Sequence, residues 1–69
     1  MNVIVKKVTF DESILEVQTK SGIKTLVVNK TQYGHSYDDF SEWDITDEQY
    51  YALEDLIDIV TDEMRWKTN

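Results

Sequence analysis

The chain has no cysteine, no proline and only two glycines. Without thiols there is no disulfide framework and no thiolate metal site, which fits a reducing compartment. His35 is the single histidine, so the usual nitrogen-based zinc sites are absent too, and no metal or other cofactor is expected. Gly22 and Gly34 stand apart from each other, which leaves no glycine-rich phosphate loop. No apolar run approaches the roughly 20 residues of a membrane span. The opening segment, Met1-Asn2-Val3-Ile4-Val5-Lys6-Lys7, has neither the long apolar core nor the small-residue cleavage site of a secretion signal. A cytoplasmic protein without a membrane partner is expected. The most telling absence is local: from Asp38 to Glu63 there is no lysine and no arginine.

That stretch holds eleven carboxylates: Asp38, Asp39, Glu42, Asp44, Asp47, Glu48, Glu54, Asp55, Asp58, Asp62 and Glu63. The preceding half is mildly basic, with Lys6, Lys7, Lys20, Lys24 and Lys30 against Asp11, Glu12 and Glu16. Charge is segregated along the chain, and the net charge is −7. Concentrating like charge costs self-repulsion, and such a field is most useful when it is aimed at something basic. A pI near 4.4 argues against nucleic acid as a ligand, because affinity for phosphates comes from Lys and Arg. Hydrophobic residues make up 41% of the chain, with eight aromatics among them, too many for a disordered acidic tail. A single folded domain over residues 1–69 is expected.

The pattern predicts an α+β fold, a three-stranded antiparallel meander followed by an aromatic-rich loop and one long amphipathic helix. Residues 1–30 carry the strands Val3 to Phe10, Ile14 to Thr19 and Ile23 to Asn29. Asp11-Glu12-Ser13 and Lys20-Ser21-Gly22 supply the turns. Residues 31–45 hold Tyr33, Tyr37, Phe40 and Trp43 among acids without a clear period, and they read as an ordered loop. Thr46-Asp47-Glu48-Gln49 matches a capping box and opens a helix over 46–67. Ile45 and Tyr50 occupy the two positions of a hydrophobic staple. Asp47 and Glu48 suit the positive end of the helix dipole, and Arg65 and Lys67 suit the other.

Phasing the helix sorts its residues. Leu53, Ile57, Val60 and Met64 fall within about 60° of arc, with Tyr50 beside them, and should face the sheet. The opposite sector holds Asp47, Glu48, Tyr51, Glu54, Asp55, Asp58 and Asp62. Glu54, Asp58 and Asp62 form an i, i+4, i+8 column, whose like-charge neighbours destabilise an isolated helix by about 0.2–0.5 kcal/mol each. The plainer reading is a solvated helix face. The functional reading is an anionic surface for a cationic partner, made of these residues with Asp38, Asp39, Glu42 and Asp44 from the loop, and Tyr37, Tyr51 and Trp43 as anchors. A second apolar stripe, Ala52, Leu56, Ile59 and Trp66, lies on the flank and is the candidate interface of a homodimer, which would help so small a domain.

Enzymatic chemistry finds no foothold in the pattern. The acidic segment 38–44 lacks the spacing of a calcium loop, and carboxylates on a helix surface have no water-excluding cleft for acid–base work. A short, cysteine-free, acidic chain with Thr46-Asp47-Glu48, Glu54-Asp55, Asp58 and Asp62-Glu63 resembles phage-encoded DNA mimics. It is most similar to the small dimeric inhibitors that Bacillus phages direct against the nucleoid protein HU. The resemblance covers charge, size and the acidic half, not a diagnostic motif, because DNA mimics share a charge pattern and not a fold. It implies an HU-like basic host protein as partner, in the cytoplasm of an infected bacterium, and inhibition of DNA binding. Phage inhibitors of a CRISPR effector or an RNA polymerase, or an acidic structural oligomer with no partner, are the alternatives.

Overall fold

The computed structural model describes residues 2–67. Four strands, β1 (Val3–Val8), β2 (Glu12–Thr19), β3 (Gly22–Thr31) and β4 (Gly34–Tyr37), precede one helix, α1 (Asp47–Trp66). The strands form an antiparallel sheet in the order β1-β2-β3-β4. Short hairpin connections make this meander the direct outcome of chain order. The register of β1 on β2 slips between Val5 and Lys7, a bulge at an edge strand.

The fourth strand corrects the expected three, and it lies inside the segment expected to be a loop. Its cause is a turn used twice. In Thr19-Lys20-Ser21-Gly22 the Thr19 hydroxyl accepts the Ser21 amide at 3.2 Å. In Thr31-Gln32-Tyr33-Gly34 the Thr31 hydroxyl accepts the Tyr33 amide at 3.2 Å. Each turn closes with a glycine at positive φ, 116° at Gly22 and 146° at Gly34, where a side chain would strain the backbone. Thr19 pairs with Gly22 and Thr31 with Gly34. The first turn also lies two residues earlier than expected. Thr9 and Glu12 close it, the Thr9 amide donating to the Glu12 carbonyl at 2.8 Å, so β1 stops at Val8 and Ser13 becomes a strand residue.

The helix starts where its cap dictates. Thr46 Oγ1 accepts the Gln49 amide at 3.2 Å, and Gln49 Oε1 accepts the Thr46 amide at 3.0 Å. Its buried residues are Leu53, Ile57, Val60 and Met64, the stripe that the period predicts. They meet Leu15 and Val17 of β2, Leu26 and Val28 of β3, and Phe40 of the following loop. Burial of each large aliphatic side chain contributes about 1.5–3 kcal/mol. Lys67 lies just past the helix as its C-cap. Among the described residues no element covers the far face of the sheet, and Ile4 and Ile23 there are 58% and 65% exposed. Among the described residues no helix is long and apolar enough to cross a membrane.

One core position is chemically mismatched. Ser13 is fully buried between Val8 and Val28 in the register, and its Oγ has no hydrogen-bond partner among the described residues. An unpaired buried hydroxyl costs about 1–3 kcal/mol. Ser13→Ala is therefore expected to stabilise the protein by about 1 kcal/mol. Thermal unfolding followed by circular dichroism checks this, with a midpoint rise of about 4–8 °C for a domain of this size.

Candidate interaction surface

The sites predicted from sequence fall into three groups once the helix is seated. Asp47, Glu54 and Asp58 stand within about 40° of arc on α1. They look toward the β4 side, since Tyr50, next to this sector, packs on Phe40 with ring centroids 4.8 Å apart. Glu48 and Asp55 cap the outward crest of the helix and are exposed. None of these five carboxylates makes an ion pair among the described residues, where the pairs are Lys7–Glu12, Arg65–Asp62 and Lys67–Glu63.

Asp62 separates from the column. Arg65 lies 3.8 Å from its carboxylate, one turn on, and at 100° per residue Arg65 stands in line with Asp47. The anionic track is thus Asp47, Glu54 and Asp58, closed at its C-terminal end by a cation. Along the axis, Glu54 to Asp58 is about 6 Å. Asp47 to Glu54 is about 10.5 Å, so the two gaps of the track are unequal.

The loop acids are pinned by an aromatic hub. Phe40 is buried, with Tyr37, Trp43 and Tyr50 rings at 6.0, 5.9 and 4.8 Å. Around it, Asp38 and Glu42 are exposed. Asp39 accepts both the amide and the hydroxyl of Ser41, at 2.9 and 3.0 Å, and these bonds hold its carboxyl below the ordinary aspartate value. Asp44 accepts the Ser21 hydroxyl at 3.2 Å, and its carbonyl accepts the Lys20 amide at 3.2 Å. That contact ties the loop to the β2–β3 turn. Asp39 and Asp44 thus shape the loop as well as charging it.

Loop and helix acids meet at Tyr50. Partial burial raises its phenol above the ordinary value, and the charges of Glu54 and Asp39 push it the same way. Glu54 of the helix and Asp39 of the loop thus flank Tyr50, with Tyr51 standing edge-on to Tyr50 at 5.8 Å and 64% exposed, and Tyr37 43% exposed. Trp43 is partly buried, packed against the core, and offers less free area than Tyr37 or Tyr51. The sequence pattern did not single out Phe40 as the hub. The only signal was its apolar ring among acids.

The basic residues collect elsewhere. Lys30 pairs in register with His35, and the fields of Arg65 and Lys30 add to burial in lowering the His35 pKa below 6.5. On the opposite flank of α1, Ala52, Ile59 and Trp66 are exposed and Leu56 is half-buried, so the aromatic loop does not cover that stripe. Among the described residues no group of three or more ligating side chains is placed to hold a metal.

Two outcomes follow from these charges. Asp58→Lys is expected to raise stability by a few tenths of a kcal/mol, relieving the repulsion with Glu54; thermal melts at low salt check it, and the gain should shrink as salt rises. For His35, whose folded pKa is depressed, the unfolded chain takes up the proton first as pH falls below about 6.5. Its contribution to stability is therefore complete above that value and lost as pH falls through the folded pKa. Urea melts across this range should show a flatter acid limb for His35→Gln. No protein-family model, curated protein or solved structure matches the chain.

Proposed function

We propose that the protein is a DNA mimic, a non-enzymatic inhibitor that seats its acidic face on the DNA-binding surface of a basic host protein. A nucleoid protein of the HU type, in the cytoplasm of an infected bacterium, is the target that the resemblance to phage DNA mimics implies; the charge pattern itself asks only for a basic partner. The observation that carries this reading is the unpaired track of Asp47, Glu54 and Asp58, joined through Tyr50 to the acids of the loop. A face meant only to be solvated gains from interleaved lysines, and here they are missing although the chain uses lysine freely in its β half.

Long-range attraction steers the acidic face toward the cationic surface and raises the encounter rate. At contact, the carboxylates take the positions that phosphates occupy, and Tyr37 and Tyr51 supply apolar area beside them. DNA and the mimic then exclude each other by volume and by charge. Their salt responses differ. DNA binding gains from release of condensed counterions, with log K falling by about 0.9 per neutralised phosphate for each log unit of salt. A folded domain with a short anionic track condenses few counterions, so its binding weakens less steeply as salt rises.

Competition against preformed HU–DNA, followed by fluorescence anisotropy of labelled DNA, tests the proposal. Release of DNA is expected, together with a shallower salt dependence than DNA shows. Glu54→Lys with Asp58→Lys is expected to abolish release while the helix remains folded by circular dichroism. Asp62→Lys alone is expected to do less, because Arg65 already offsets that charge. Failure to displace DNA from HU and from a panel of other basic DNA-binding proteins overturns the reading.

A further inference from the structure

The face of the sheet turned away from α1 carries a hollow of about 50 Å³ near the β2–β3 turn. It is lined by Asn2, Ile4 of β1, Glu16 and Gln18 of β2, and Ile23 of β3. Register builds it. Leu15 and Val17 are buried against α1, so alternation along the strand turns Glu16 and Gln18 to the opposite face. Ile4 stands across from Glu16, and Ile23 across from Gln18. Isoleucines from the flanking strands therefore wall a polar strip on β2. Gln18 Nε2 donates to the Thr19 carbonyl at 3.4 Å, which leaves the Gln18 Oε1 to accept. Roughly 10–15 Å³ holds one water, so the hollow admits the end of one long side chain and is too small for a nucleotide.

Glu16 is half-buried there, and among the described residues it makes no ion pair. The same face shows the other arrangement at Glu12, where Lys7 of β1 lies 3.2 Å from the carboxylate. Glu16 has Ile4 and Thr25 as its cross-strand partners, and neither answers its charge. We infer that this hollow takes the side chain of an arginine from a partner protein. The methylene stem lies between Ile4 and Ile23, and the guanidinium donates to the Glu16 carboxylate and the Gln18 amide oxygen. Long cationic side chains bury their stems on apolar surface while the charged head keeps polar company. Glu16 and Gln18 are two positions apart on one strand, about 6.6 Å along its axis. A planar guanidinium carries donors on separate edges and spans such acceptors, whereas an ammonium is a point charge. The chain's own arginine, Arg65, is on α1, where it lies 3.8 Å from Asp62, so the arginine comes from another molecule. A net charge of −7 draws basic proteins toward the chain. The sheet stands between this hollow and α1, so the contact is separate from the acidic face and does not rest on the target proposed above.

Titration of the isotope-labelled chain with the capped peptide Gly-Arg-Gly, followed by amide chemical shifts in NMR spectra, tests the inference. The Ile4, Glu16, Gln18 and Ile23 amides are expected to move together and to saturate. A peptide with citrulline in place of arginine keeps the shape and loses the charge. It is expected to bind about tenfold more weakly at these positions, because hydrogen bonds to charged groups are the stronger ones. Glu16→Gln is expected to weaken the arginine peptide there to the same extent, while any shifts at Glu54 and Asp58 persist. Thr25→Lys sets a cation opposite Glu16 and is expected to close the hollow to the peptide. Absence of a saturable response at these amides overturns the inference, as does an equal response to citrulline or an unchanged response in Glu16→Gln. Equal affinity for the capped peptide Gly-Lys-Gly overturns the choice of arginine. Should either variant fail to fold, the comparison of peptides on the native chain decides.

Discussion

The seating of α1 on the sheet is the contact on which the rest of the molecule depends. Leu53, Ile57, Val60 and Met64 lock against Leu15, Val17, Leu26 and Val28, and that stripe fixes the rotation of the helix about its own axis. The carboxylates have no say in where they point. Truncating one buried aliphatic side chain to alanine costs about 2–5 kcal/mol, against about 0.2–0.5 kcal/mol for each like-charge pair on the helix. The core wins by roughly an order of magnitude, so the repulsion is tolerated and the acidic track is held in place. Rotating the helix by a single residue would carry Glu54 into the core and break the track.

Phe40 performs the same service for the loop. Its buried ring gathers Tyr37, Trp43 and Tyr50, and the chain from 38 to 46 is drawn around it. The tie between Asp44 and the β2–β3 turn closes the other end. Acids that would repel one another on a free segment are thereby held at fixed positions without cations between them. Acid dominates the first half of α1 and the loop, while Lys30 and Arg65 lie beside His35 of β4. The lysines of the β half mostly lie on strands, where they blunt edges. Segregation along the chain thus becomes partial segregation in space, because the acidic helix returns across a sheet that carries four of the five lysines of the β half, Lys6 and Lys7 on β1 and Lys24 and Lys30 on β3.

Much of this was legible before the fold was known. The helical stripe reads directly from the 3.6-residue period, and Thr46 with Gln49 marks the start because few other combinations satisfy two orphan amides at once. The strands β2 and β3 follow from β-branched residues and a glycine turn. The fourth strand was not read, although Thr31 to Gly34 repeats the turn of Thr19 to Gly22. At four residues, Gly34–Tyr37 is too short for a period to show, and its aromatic and polar residues resemble the loop that follows. The acids of the site were all legible as residues. That Trp43 packs partly against the core depends on contacts that no spacing rule selects, whereas the pairing of Asp62 with Arg65 is an i,i+3 contact that the helix period allows.

The sequence by itself determined the sign and the strength of the field, the single helix and which of its faces is apolar. These are consequences of composition and local period, and they need no long-range contact. Only the tertiary structure decided that Asp39 of the loop and Glu54 of the helix flank Tyr50, which packs on Phe40. It alone decided that the exposed stripe of Ala52, Leu56, Ile59 and Trp66 runs beside a free strand edge and not beneath the aromatic loop. Both outcomes turn on which side of α1 faces β1 and which faces β4. That is a matter of handedness and of the order of strands in the sheet, and it exists only once the chain has closed on itself.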